Sequence, residues 1–144
     1  MRNLVLFTLL LSISIVFSSC RKDPYHKYAR KLNGNWQFTK INLKEYGALF
    51  KEDYLSVYGN STLRLEEDRL AYFEHNNRTY SGSWDILLDD CINSCSEELF
   101  ISVYNYEFDH LIQFSMNDFT ITNRKINAQT STYEGTWTYR LVKL

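Results

Sequence analysis

The chain has 144 residues, with 16 Lys and Arg against 17 Asp and Glu, for a formal net charge of −1. That balance gives no electrostatic reason to expect nucleic acid as a partner, and the length suits one domain built on one core. Eleven Tyr and nine Phe beside one Pro and five Gly make an ordered, strand-favouring composition rather than a disordered one.

Residues 4–17 form an apolar run broken only by Thr8, Ser12 and Ser14, and FSSC then ends at Cys20. Spanning a bilayer as a helix takes about 20 apolar residues, so this shorter run reads as the apolar region of a signal peptide followed by small residues at a cleavage site. Phe17-Ser18-Ser19-Cys20 resembles the lipobox of bacterial lipoproteins, with Phe where Leu is more usual. The resemblance implies that residues 1–19 are a lipoprotein signal peptide and that Cys20 becomes the lipidated first residue of the mature chain. Each buried methylene contributes about 0.8 kcal/mol, so two or three palmitate-type acyl chains anchor stably where one does not. An ordinary cleaved signal peptide, with Cys20 a bystander, is the alternative. Arg21 stands where an inner-membrane lipoprotein of enteric bacteria carries Asp, which points to the bacterial outer membrane. The segment RKD leaves periplasmic or surface display open.

Residues 20–31 read as a lipidated tether and short helix. Asp23 is placed to cap it, Pro24 suits its first position, and Gly34 stands where it would stop. Tyr25, Tyr28 and Leu32 share one face at helical spacing, which favours docking over a plain tether.

From Gly34 onward the chain alternates with a period of two. Tyr80, Gly82, Trp84, Ile86 and Leu88 share one face of residues 80–88, against Ser81, Ser83 and Asp85. Phe108, His110, Ile112, Phe114 and Met116 share a face of residues 107–116, and Tyr133, Gly135, Trp137, Tyr139 and Leu141 share one of residues 133–141. These are strands with one buried face. Shorter strands are expected at 35–43, 62–66, 70–75, 99–104 and 119–123, joined by polar turns at 67–69, 76–78 and 117–118 that suit hairpins. Residues 44–60 fit neither period and are expected to form a long loop beside an opening.

Eight such strands in up-and-down order dispose of their edges most simply by closing into an antiparallel β-barrel over residues 32–144. Its interior would be just wide enough for side chains or one small ligand. Ser, Asp, Glu, Thr and Arg on the other face argue against an outer-membrane barrel, whose outside must be apolar.

Cys91 and Cys95 form an even pair in an exported chain, which favours a disulfide. The short loop it closes is stabilised by only roughly 2 kcal/mol. Zinc would need two further ligands, and His75 and His110 fall on other expected strands, so no metal is expected. Asp89-Asp90 and Glu97-Glu98 read as solvated charges. No nucleophile motif, phosphate loop or histidine metal motif points to an enzyme or a cofactor.

YEGTWTYRL at 133–141 repeats the pattern of YSGSWDILL at 80–88, and LNGNWQF at 32–38 is a looser copy. Gly34, Trp36, Gly82, Trp84, Gly135 and Trp137 are its fixed points. They read first as architecture, the missing glycine side chain letting the strand bend inward and leaving room for a neighbouring ring. A short helix, Gly34-x-Trp36 opening the first strand, a meander and a closing aromatic strand resemble the lipocalin-like proteins, in particular the small lipocalin-like lipoproteins of Bacteroidota-type bacteria. The resemblance spans about residues 30–144, with Arg140 in the place of the usual lipocalin arginine. It implies a barrel closed at one end with Trp36 packed at that base, and it names no ligand.

The expected function is therefore non-catalytic binding of a small, partly apolar ligand inside the barrel by a membrane-anchored envelope protein. Tyr72, Trp84, His110, Phe114 and Tyr139 would line the site, although a hydrogen-bonded core residue is the commoner reading of His110. The alternative is a structural or interaction lipoprotein with a solid barrel, engaging an envelope protein through residues 44–60 or its outer surface. An exposed cluster of Tyr46, Phe50, Tyr54 and Tyr58 would favour that alternative.

Overall fold

The computed structural model describes residues 25–88 and 96–144. The expected signal peptide, Cys20, Asp23, Pro24 and the Cys91/Cys95 pair lie outside the described residues. Helix α1 (Tyr25–Leu32) leads into β1 (Gly34–Glu45), β2 (Glu52–Asp53) and a one-turn helix α2 (Leu55–Tyr58). There follow β3 (Thr62–Leu65), β4 (Leu70–His75), β5 (Arg78–Leu88), β6 (Glu97–Asn105), β7 (His110–Met116), β8 (Phe119–Ile121), β9 (Lys125–Ser131) and β10 (Gly135–Lys143).

All these strands belong to one antiparallel sheet in the order β7-β6-β5-β4-β3-β1-β10-β9-β8, with β2 attached to β1. The first long strand and the last pair along most of their length, Trp36 opposite Lys143 and Glu45 opposite Gly135. The result is a nearly closed barrel whose break falls between β7 and β8, neighbours in sequence. Eight strands were expected and ten form among the described residues. The additional ones are the two-residue β2 and β9, where Ile126, Ala128 and Thr130 face inward but only Ile126 is strongly apolar.

Local sequence explains the path. In β1, Trp36 and Phe38 are buried at even positions and Ile41 and Leu43 at odd ones. The register shifts between Phe38 and Lys40, so one extra residue at Thr39 restores the inward face and bends the strand. Asn76 and Asn77, both at positive φ, make the tight turn that joins β4 to β5, with His75 opposite Arg78. Two expected strands begin later than the alternation suggested. Phe108 and Tyr133 lie in turns and are exposed, and His110 opens β7.

The interior is packed, with Trp36, Trp84, Tyr80, Phe38, Phe73, Leu63, Leu65, Leu99, Ile101 and Met116 essentially solvent-free. Helix α1 closes one end, which we call the base. Tyr28, Ala29 and Leu32 are buried there, Tyr25 stacks on Trp84 with ring centroids 5.4 Å apart, and Tyr28 meets Phe119 edge-on. The Trp36 indole donates to the Leu32 carbonyl at 2.6 Å, satisfying a helix-end acceptor at the base. Gly34, at φ +133°, makes the exit from helix to strand, a conformation that a side chain would strain. Glu97 accepts from Lys27 at 3.1 Å and from the Tyr28 hydroxyl, so the helix is docked by polar as well as apolar contacts. Burial alone would raise the Glu97 carboxyl, yet these bonds outweigh it and hold the carboxyl below its ordinary range.

The repeated glycines have a different reason from the one expected. A Cβ on Gly82 would collide with the Ser102 carbonyl oxygen of β6, and one on Gly135 with the Lys44 carbonyl oxygen of β1. The glycines admit the main chain of the adjacent strand rather than a neighbouring ring.

Candidate functional site

At the end opposite the base, residues 46–61 cross the barrel mouth as a strap. Tyr54 packs on Trp137 with centroids 5.0 Å apart, and Tyr58 meets His75 at 5.3 Å and Phe114 at 6.2 Å. The strap is tied down by Tyr54 N–H to Ile41 C=O at 2.8 Å and by the Gln37 amide to Gly59 C=O at 3.1 Å. Residues 44–60 thus lie beside the opening, as expected, but carry a short strand and a helical turn.

The wall is incomplete next to the strap. Nearer the base the gap between β7 and β9 is bridged by the Thr130 hydroxyl, which donates to Ser115 C=O at 2.6 Å and accepts from Asn117 N–H at 3.0 Å, and by Gln129 N–H bonding Asp118 C=O at 3.3 Å. Toward the mouth a cleft of about 320 Å³ opens, lined by Ile41, Tyr58, Ile112, Gln113, Phe114, Ser115, Thr130, Thr132, Trp137 and Tyr139. Trp137 and Tyr139, two apart on β10, stack nearly parallel, 10° between planes and 6.2 Å between centroids. Phe114 rests on Phe38 at 5.2 Å and separates the cleft from the packed core.

The residues around the cleft are aromatic, aliphatic or hydroxyl-bearing apart from Gln113, and none is an acid, a histidine or a cation. Burial, reinforced by the nearby Tyr58, pushes the Tyr139 hydroxyl up to about 12, so it stays a neutral donor across the physiological range. Larger hollows, of about 480 Å³ around the Asn76–Asn77 turn and about 530 Å³ between β1 and the strap, are lined mainly by polar outer-surface residues. Each has a single aromatic ring in its lining, His75 in the first and Phe38 in the second, against the four around the cleft that can desolvate a partly apolar ligand.

Of the five residues expected to line a site, Phe114 and Tyr139 reach the cleft. Trp84 is at the base, donating to Glu66 C=O at 2.8 Å beneath Tyr25. Tyr72 is on the outer face with the Arg64 guanidinium 4.3 Å above its ring, because Ala71 and Phe73 take the inward positions. His110 is exposed at the rim, 3.2 Å from the hydroxyl of the buried Tyr80, and belongs neither to the core nor to the cleft. Trp137, read from sequence first as architecture, is a cleft wall. Its spacing of two from Tyr139 was the available signal, whereas Thr130 lay on an unrecognised strand.

Among the described residues no group of three or more His, Cys, Asp or Glu could hold a metal ion, and no helix is long and apolar enough to cross a membrane. Fold and cleft together define a nearly closed antiparallel barrel with an aromatic side opening. No family model, curated protein or solved structure matches the chain.

Proposed function

We propose that this chain is a lipid-anchored, lipocalin-like protein of the bacterial outer membrane that holds one small, partly apolar ligand in the lateral cleft, without catalysis. The carrying observation is the cleft itself: about 320 Å³, walled by Tyr58, Phe114, Trp137 and Tyr139 and carrying few polar groups. That is the character of a binding pocket at the small end of the usual range. Because Phe38, Phe73, Tyr80, Trp36 and Trp84 fill the barrel axis, the ligand sits at the mouth rather than in the centre. The lining also lacks the charged acid–base pair that most hydrolytic chemistry uses. Native mass spectrometry of the protein extracted from its own membrane tests the reading. A bound small molecule that is lost in Tyr139→Ala supports it, and bare protein from every extract overturns it.

One observation favours a second reading, an interaction lipoprotein. Tyr46, Leu49, Phe50 and Tyr133 are 68%, 90%, 82% and 90% exposed, and Tyr46 N–H bonds Glu134 C=O, which brings the strap beside the β9–β10 turn. Tyr54 and Tyr58 face inward instead, so only half of the expected exposed cluster forms. Loss of envelope partners from Leu49→Ser/Phe50→Ser, with the cleft ligand retained, would favour this reading.

A further inference from the structure

Four consecutive residues of β7, Ile112, Gln113, Phe114 and Ser115, border the cleft. Side chains alternate between faces along a strand, so four in a row meet one hollow only along the strand's edge, through the main chain. Ser115 gives the direction of that edge, since its carbonyl crosses the seam to the Thr130 hydroxyl. In an antiparallel ladder the N–H and C=O of one residue point to one side, and the side alternates along the chain. Gln113, two residues before Ser115, therefore turns both groups toward the cleft, while Ile112 and Phe114 turn theirs toward β6, opposite Val103 and Ile101. The sheet order ends at β7, so among the described residues no strand continues the ladder beside Gln113.

The geometry points to an extended peptide as the occupant. Its main chain pairs with Gln113 on the free edge of β7, and one large neutral side chain enters the cleft between Ile41, Phe114, Trp137 and Tyr139. This rests on the cleft being the binding site proposed above and adds the class of ligand. An open N–H and C=O beside an aromatic hollow are both satisfied by a backbone with an apolar side chain. A hydrocarbon would cover the polar groups without pairing them. The absence of charge from the lining selects a neutral side chain.

The full-length protein in detergent micelles would be titrated with acetyl-Val-Phe-Val-amide, the same peptide N-methylated at its backbone, and p-cresol. Tryptophan fluorescence is the readout, with Trp137→Phe identifying the cleft signal against Trp36 and Trp84 at the base. The expected result is saturable binding of the parent peptide and about tenfold weaker binding of the methylated one, the scale of one lost edge hydrogen bond. Gln113→Pro removes the edge N–H at a position where a free-edge strand tolerates proline, so it should weaken the parent peptide similarly with the melting temperature little changed. Should that variant unfold, the methylated peptide decides alone. Equal binding of the two peptides overturns edge pairing. Binding of p-cresol that is lost in Tyr139→Ala, with no peptide binding, leaves the cleft reading standing and overturns the peptide. Silence of all three probes removes both. A concentration-dependent dimer in sedimentation that excludes the peptide assigns the edge to a second copy and overturns the inference.

Discussion

Tyr139 shows how one side chain reports the state of the cleft. Its hydroxyl is pushed up to about 12 by burial, while in the unfolded chain it titrates near 10. The folded protein therefore keeps a proton that the unfolded chain gives up, and the associated stability is full below about pH 10 and lost as pH rises toward 12. The whole step is worth about 2–3 kcal/mol. In urea unfolding between pH 9 and 11 the native chain should lose more stability than Tyr139→Phe as pH rises, because the variant lacks this one proton. Parallel curves would mean that Tyr139 is solvated and the cleft wetter than its walls imply. The glycines of the repeated phrase teach a different lesson at this scale. Which face Gly82 and Gly135 share with Trp84 and Trp137 is readable from spacing alone. That the space above them is filled by the carbonyls of Ser102 and Lys44 depends on strand partners that spacing does not specify.

The element whose behaviour is most exposed to conditions is the strap. Its C-terminal end is held by His75, whose Nδ1 lies 2.7 Å from the Ser61 hydroxyl while Nε2 lies 2.9 Å from the Asn76 amide nitrogen. With the amide donating to Nε2, the neutral ring donates from Nδ1 to Ser61, and a second proton on Nε2 breaks the first of these bonds. Burial, together with Arg78 and His110, lowers the His75 pKa. A lowered histidine contributes stability above its unfolded value near 6.5 and loses it as pH falls through the folded value. Amide exchange over residues 54–61, corrected for intrinsic rates, should therefore speed up below pH 6.5 relative to the base around Leu32 and Trp36. His75→Phe should remove the difference, and equal protection at pH 5 and 7.5 would show that Tyr54 and Tyr58 hold the strap by packing alone. Elements with large apolar residues at every second position, such as β5 and β10, were legible in the sequence. Strand β9 was not, since Ala128 and Thr130 are too small and too polar to mark a buried face. In β4 the adjacent aromatics Tyr72 and Phe73 compete for the inward position, and only pairing with β3 and β5 decides it.

For the whole molecule, the important relation is between the two barrel ends. In an up-and-down barrel the first and last strands close the sheet, and here β1 and β10 do so tightly enough that the break moves to the β7–β8 boundary. No local pattern marks that position, which is why the barrel could be read from the sequence and its opening could not. Helix α1 begins at Tyr25 on the base, and the five residues from Cys20 to the helix can reach only about 17 Å when extended. Strand β1, 12 residues long, carries the chain roughly 40 Å from that base toward the strap. If Cys20 carries lipid, the base lies near the bilayer and the cleft faces away from it. Spin labels placed at His26→Cys and Leu49→Cys, with Cys91 and Cys95 replaced by Ser, test this in proteoliposomes of the lipidated protein. The label at 49 should relax readily with a water-soluble nickel chelate and poorly with membrane-dissolved oxygen, and the label at 26 should lie closer to the headgroups. An oxygen-dominated response at 49 would mean instead that Tyr46, Leu49 and Phe50 dip into the membrane, turning the cleft toward the lipid rather than toward partners in solution.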